Sequence, residues 1–141
     1  MRELFHQSLS PACRIARLAL AEKKLDAAAT IERFWERRPE FLALNPASRV
    51  PTLIDDRIVV SGSYHIPEYL EETYPDPALW PAAPEERREA RRLLAWFLTV
   101  FQTEVTEPLL MQKVNPRFCG FAQPPRPGGP SRGRPRGSRA G

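Results

Sequence analysis

From Gln123 to Gly141 the chain carries no apolar side chain larger than alanine. Such a stretch has nothing with which to offset the entropy of ordering, so any hydrophobic core must be built from the residues before it. Residues 121–141 hold five of the 18 arginines, five of the 16 prolines and five of the seven glycines, without one acidic residue. The remaining 120 residues carry 16 basic and 17 acidic side chains and are close to neutral. The high pI therefore belongs to the tail and does not mark a basic binding face on the fold. No apolar run approaches the ~18 residues of a membrane-spanning helix, and Met1 to Gln7 lacks the apolar stretch of a secretory leader. A cytoplasmic protein is expected. Cys13 and Cys119 supply neither a disulfide framework nor a zinc set, and reduced thiols suit that compartment.

Residues 2–7 alternate, with Leu4 and His6 facing one way and Phe5 the other, which predicts a short strand. Ser10 before Pro11 is an N-cap followed by a helix-compatible first residue, so a helix is expected from Pro11 to about Lys24. Its apolar stripe reads Ile15, Leu18, Ala19 and Leu25, leaving Arg14 and Arg17 free for solvent. Ala28 to Trp35 reads as a second strand, Pro39 to Leu44 as a short helix, and Pro51–Ile54 with Arg57–Val60 as a hairpin turning at Asp55-Asp56. A third helix is expected over residues 63–73. This order predicts an α/β unit of about 75 residues. Four prolines between Tyr74 and Pro84 predict an exposed linker. Beyond it Glu85, Glu86 and Glu89 open a long helix whose apolar positions, Leu93, Leu94, Trp96, Phe97, Val100, Phe101 and Val105, span an arc too wide for one neighbour.

Two segments could carry chemistry. Ser10-Pro11-Ala12-Cys13 sits at a strand-to-helix junction, where the helix dipole favours anionic sulfur. The pattern is similar to the Cys-Pro-x-Cys of thioredoxin-like folds with serine in the leading position. Such a serine cannot attack a disulfide, but its hydroxyl can donate to a thiolate brought by a substrate. It can equally be a plain N-cap, and Cys13 can be either a small core residue or a redox thiol. The second segment is the loop Asn45 to Leu53, which enters the hairpin through Val50-Pro51.

Taken together, Ser10-Pro11-Ala12-Cys13-Arg14, Pro39 to Pro46, Arg49-Val50-Pro51-Thr52-Leu53 and Ser63 to Glu72 resemble the glutathione S-transferase family over residues 2 to about 115. The resemblance implies a thioredoxin-like, glutathione-binding domain over 1–75 and the start of an all-helical domain over 85–120, while composition makes 76–84 a linker and 121–141 a disordered tail. It implies glutathione as co-substrate, with Ser10 contacting its sulfur and Cys13 as the alternative working thiol. Val50 would offer backbone N–H and C=O to the cysteinyl part, with Pro51 cis. Arg49 would meet the glycine carboxylate, and Ser63 the γ-glutamyl carboxylate at a helix start. The second ligand would be a small apolar electrophile, and a homodimer is the assembly typical of the family.

Three positions depart from that pattern. Gly62 stands where an acidic residue or glutamine usually meets the ligand's ammonium group. Pro67 falls early in the third helix, and Ser48 stands where glycine is frequent. The helical domain also gives way to Pro/Gly/Arg text, which reads as incomplete, the product of truncation or a frame shift. A non-enzymatic reading stands beside the catalytic one, because some bacterial relatives act in cell division through a filament-forming partner, and Trp35 to Phe41 is similar to theirs. For the tail, nucleic-acid binding is selected by composition alone, and no aromatic residue follows Phe121 to stack on bases. His6 and His65 lack neighbouring ligands at metal spacing, and no metal site is expected.

Overall fold

The computed structural model of the protein describes residues 1–114 and residue 117. Residues 1–107 form one compact unit, and Pro108 onward falls in a second. The tail over 121–141 and Cys119 lie outside the described residues.

Four strands form one mixed sheet in the order β2-β1-β3-β4: β1 Arg2–His6, β2 Ala28–Ile31, β3 Thr52–Asp55 and β4 Ile58–Ser61. β1 and β2 are parallel, and the other pairings are antiparallel. Helix α1, Pro11–Glu22, makes the crossover from β1 to β2; α2, Pro39–Leu44, precedes β3; and α3, His65–Thr73, follows β4. This is the thioredoxin-like α/β arrangement. Alternation along β1 separates the layers, since successive side chains of a strand point to opposite faces. Leu4 joins Leu53 of β3 and Ala16, Ala19, Leu20, Ile66 and Leu70 of α1 and α3 in the main core. Phe5 meets the Phe41 ring of α2, with centroids 5.5 Å apart. Burying one such large side chain contributes about 1.5–3 kcal/mol.

Several boundaries differ from the expected ones, each for an identifiable reason. β2 ends at Ile31, and Phe34–Glu36 form a single 3-10 turn that is stopped by Arg37, which takes a left-handed conformation at φ 50°. The hairpin turns at Asp56-Arg57, one residue later than expected, with Asp56 at φ 53°. Asp55 is held in the strand: its carboxylate pairs with Arg2 at 3.1 Å and accepts from Tyr69 and Tyr74 hydroxyls at 3.1 and 2.6 Å. On α1 the buried face is Cys13, Ala16, Ala19 and Leu20, while Leu18 is 54% exposed. Arg17 is not free for solvent: it donates to the Ser8 carbonyl at 3.2 Å and lies 3.4 Å from His6 Nδ1. Helix α3 starts two residues late, which puts Pro67 in its first turn, where a missing N–H costs nothing.

The proline-rich stretch after α3 is not simply exposed. Tyr74 and Leu79 pack against the main core, and the Glu71 carboxylate accepts from the Leu79 and Trp80 amides at 2.9 and 3.4 Å. Helix α4, Pro84–Trp96, then begins with Pro84 at its first position and Glu85 and Glu86 in its first turn. It continues with π-helical hydrogen bonding over Phe97–Thr106. No side chain of α4 is buried. Leu94, Phe97, Leu98 and Phe101 face Pro11, Ile15 and Leu18 of α1 across an apolar groove of about 390 Å³.

Candidate functional site

Strand register decides which loops meet. Phe5 pairs with Thr52, Thr52 with Ser61, and His6 with Ile31. The carboxyl ends of β1, β2 and β4 and the amino end of β3 therefore lie at one end of the sheet. The turn into α1, the segment after β2, the loop ending in Val50-Pro51 and the turn Gly62-Ser63-Tyr64 all leave from that end. It thus gathers Ser10, Cys13, Arg49, Val50, Pro51 and Ser63, although they span more than 50 positions of sequence.

Ser10 is the N-cap of α1, and its Oγ accepts from the Cys13 amide at 3.3 Å. Accepting that bond leaves the hydroxyl proton free to donate elsewhere. Cys13 has no solvent-exposed surface, and its Sγ accepts from the Gln7 amide at 3.3 Å. Burial pushes its thiol pKa up, against the opposing pull of Ser10, the Gln7 amide and Arg17. These are the surroundings of a packed thiol, because nucleophilic cysteines need access and a lowered pKa.

The loop before β3 is built around Asn45, a residue without a role in the sequence reading. Its Nδ2 donates to the Arg49 carbonyl at 2.8 Å and to Thr52 Oγ1 at 3.2 Å, while its Oδ1 accepts from the Ala47 amide at 3.1 Å. Thr52 Oγ1 also donates to the Arg49 carbonyl at 3.0 Å and meets Ser61 Oγ at 3.0 Å, tying the loop to β4. Ser48 takes φ 51°, the left-handed region that glycine occupies more readily, and its hydroxyl donates to the Phe34 carbonyl at 2.7 Å. The Val50-Pro51 peptide is cis, and Pro51 is buried. Among the described residues nothing hydrogen-bonds to the Val50 backbone N–H or C=O, and the exposed Arg49 guanidinium has no ion-pair partner. The only sequence signal for the Asn45 scaffold is an Asn-Pro pair four residues before Arg49, a turn former whose long-range partners are invisible locally.

Gly62 has a backbone reason for being glycine. Its φ is +107°, and a Cβ there would come within 3.0 Å of His65 Nδ1. Its amide donates to the Pro51 carbonyl at 2.9 Å, fastening the turn to the cis-proline loop. His65 Nδ1 lies 3.0 Å from the Ser61 carbonyl. A carbonyl only accepts, so Nδ1 carries the proton and Nε2 is left as the open nitrogen. Ser63 is half-buried, two residues before α3, with no described partner for its hydroxyl. His6, at the end of β1, has its pKa lowered by burial and by the Arg17 guanidinium. No group of three His, Cys, Asp or Glu side chains among the described residues could hold a metal ion. No described helix is long and apolar enough to cross a membrane.

Comparison with known proteins agrees with this architecture. The family model for the glutathione S-transferase N-terminal domain matches residues 9–73. The chain is 41% identical to FtsZ-localized protein A of Caulobacter vibrioides, over 87% of this chain and 56% of that protein. It is similar to the crystal structure of a glutathione S-transferase from Rhodospirillum rubrum, with a TM-score of 0.82 and 47% identity over 88% of this chain and 57% of that one. A Burkholderia glutathione transferase homologue solved with bound glutathione matches at a TM-score of 0.59 and 34% identity, over 70% of this chain and 56% of that one. The chain thus spans a little over half the length of these relatives. By its α/β domain and the helix that follows, the chain belongs to the glutathione S-transferase family.

Proposed function

We propose that this chain is a non-enzymatic module on the glutathione transferase fold that works by binding a protein partner, a filament-forming cell-division protein such as FtsZ. The carrying observation is the Gly62 turn, where the residue has no side chain and where a φ of +107° and the nearby His65 ring would strain one. No carboxylate at that position can face the ammonium of a γ-glutamyl ligand. Losing one charge-assisted hydrogen bond costs about 1.5–3 kcal/mol, or roughly ten- to a hundredfold in affinity. Similarity to a relative named for its localisation with FtsZ supports the same reading.

A second reading has its own support in the unpartnered Val50 backbone. An extended peptide can pair with such groups. Here glutathione would lie along Val50-Pro51, with Arg49 on its glycine carboxylate, Ser63 on the γ-glutamyl carboxylate and the Ser10 hydroxyl donating to its thiolate. A small apolar electrophile would then be attacked. Cys13, buried and with a raised thiol pKa, has no part in that step.

Two measurements on the same monodisperse sample decide between the readings. Isothermal titration with glutathione is expected to give no heat up to millimolar concentrations, and the protein is expected to co-sediment with polymerised FtsZ. Micromolar glutathione affinity without co-sedimentation would overturn the binding-module reading in favour of the transferase.

A further inference from the structure

The stretch between α3 and α4 has three prolines, Pro75, Pro77 and Pro81, and it lacks regular secondary structure. Such a segment has few amides with which to anchor itself. Two of those it has, Leu79 and Trp80, donate to the same carboxylate, Glu71 of α3. Glu71 also pairs with Lys23 at the end of α1, whose side chain has no exposed surface. A fully buried ammonium is tolerated only beside an opposite charge, so Lys23 holds the Glu71 carboxylate ionised and oriented. Tyr74 donates to Asp55 on one flank. On the other, Arg91 of α4 lies 3.7 Å from Glu68 of α3 and stacks over the Trp80 ring at 5.2 Å.

We propose that the Lys23–Glu71 pair is a latch that straps the proline-rich stretch onto the α/β domain and so fixes where α4 begins. With the latch closed, α4 enters at one position and the apolar groove between α1 and α4 keeps one width. With it open, residues 78–83 detach while Tyr74 stays on Asp55 and the sheet stays intact, and α4 moves relative to α1. The device needs no ligand. One charged pair sets whether the helix that follows is rigidly attached.

Amide hydrogen exchange on the full chain carrying Glu71→Gln tests this. Exchange at Leu79 and Trp80 is expected to quicken at least tenfold, with Leu53 and Leu4 in the sheet unchanged. Unchanged protection at Leu79 and Trp80 in a folded variant would overturn the latch. So would a uniform increase across the sheet, since that reports global destabilisation. Should the stranded Lys23 ammonium prevent folding, the paired variant K23M/E71Q removes both charges. The same local increase is then expected at the two amides, and native protection there would equally overturn the proposal.

Discussion

The α/β domain and the helix that follows it both carry large apolar residues yet treat them differently. Leu4, Leu53, Ile66 and Leu70 are shut away from solvent by neighbours within the domain. On α4 and its π-helical continuation, Trp96 and Phe97 remain 43% and 50% exposed, and the aromatic rings of Trp96, Phe97 and Phe101 contact one another. Helix amphipathicity alone thus does not bury a side chain; a facing element must supply the other half of the contact. Ile15 and Leu18 of α1 supply only one side for α4.

The largest test of this contrast is truncation on each side of it. Leu53→Ala leaves a cavity beneath Leu4, Ile66 and Leu70 and is expected to cost about 2–5 kcal/mol. Phe97→Ala removes a larger side chain and should cost only about 1 kcal/mol, because half of its surface stays in water in the folded chain. Urea unfolding followed by circular dichroism gives both numbers, and equal losses would break the comparison.

Asn45→Ala sharpens it within the α/β domain. Three hydrogen bonds depend on this buried amide, and its loss takes the side-chain acceptor from the Ala47 amide and leaves the Arg49 carbonyl with Thr52 Oγ1 as its one remaining side-chain donor. A cost of about 1–3 kcal/mol is expected. If the loop rests instead on the buried Pro51, urea midpoints will barely move.

Protonation offers a milder probe of the same end of the sheet. Burial and Arg17 hold the His6 pKa below its usual 6.5, so the folded state favours neutral imidazole. The unfolded chain then binds the proton first as pH falls. The associated stability is present above about pH 6.5 and is lost progressively below it. Beside His6, the charged groups are Arg17 from α1 and Glu32, just after β2, whose carboxylate is occupied by Arg38. Urea midpoints of the parent chain should fall from pH 7 to 5.5 more steeply than those of His6→Gln. Parallel curves would show that His6 stays solvated.

The order of strands and helices was legible because period-2 and period-3.6 patterns are local, and proline and glycine punctuate them. What escaped depends on distant partners. Asp55 reads as a turn residue until Arg2, Tyr69 and Tyr74 arrive to hold it in β3. Leu18 fits a core stripe as well as Leu20 does; only the position of α4 decides that it faces the groove. At the candidate site, Ser10 and the Val50-Pro51 loop announce themselves by motif. The left-handed Ser48, the Asn45 scaffold and the Gly62–His65 contact do not, since backbone angles and long-range hydrogen bonds leave little trace in composition.

The smallest effect is expected where α4 looks most ordered on paper. Arg92 makes two short hydrogen bonds to Glu89, three residues earlier on the same helix face, and both side chains are more than half exposed. Solvent screens such a pair, and holding two long side chains in one geometry costs rotamer entropy. Arg92→Ala should therefore leave the urea midpoint close to that of the parent chain, with alanine's helix propensity offsetting part of the lost attraction. A clear fall in the midpoint would mean that this surface is desolvated in solution. That would place a packing partner over the exposed side of α4 and remove the contrast with the α/β domain.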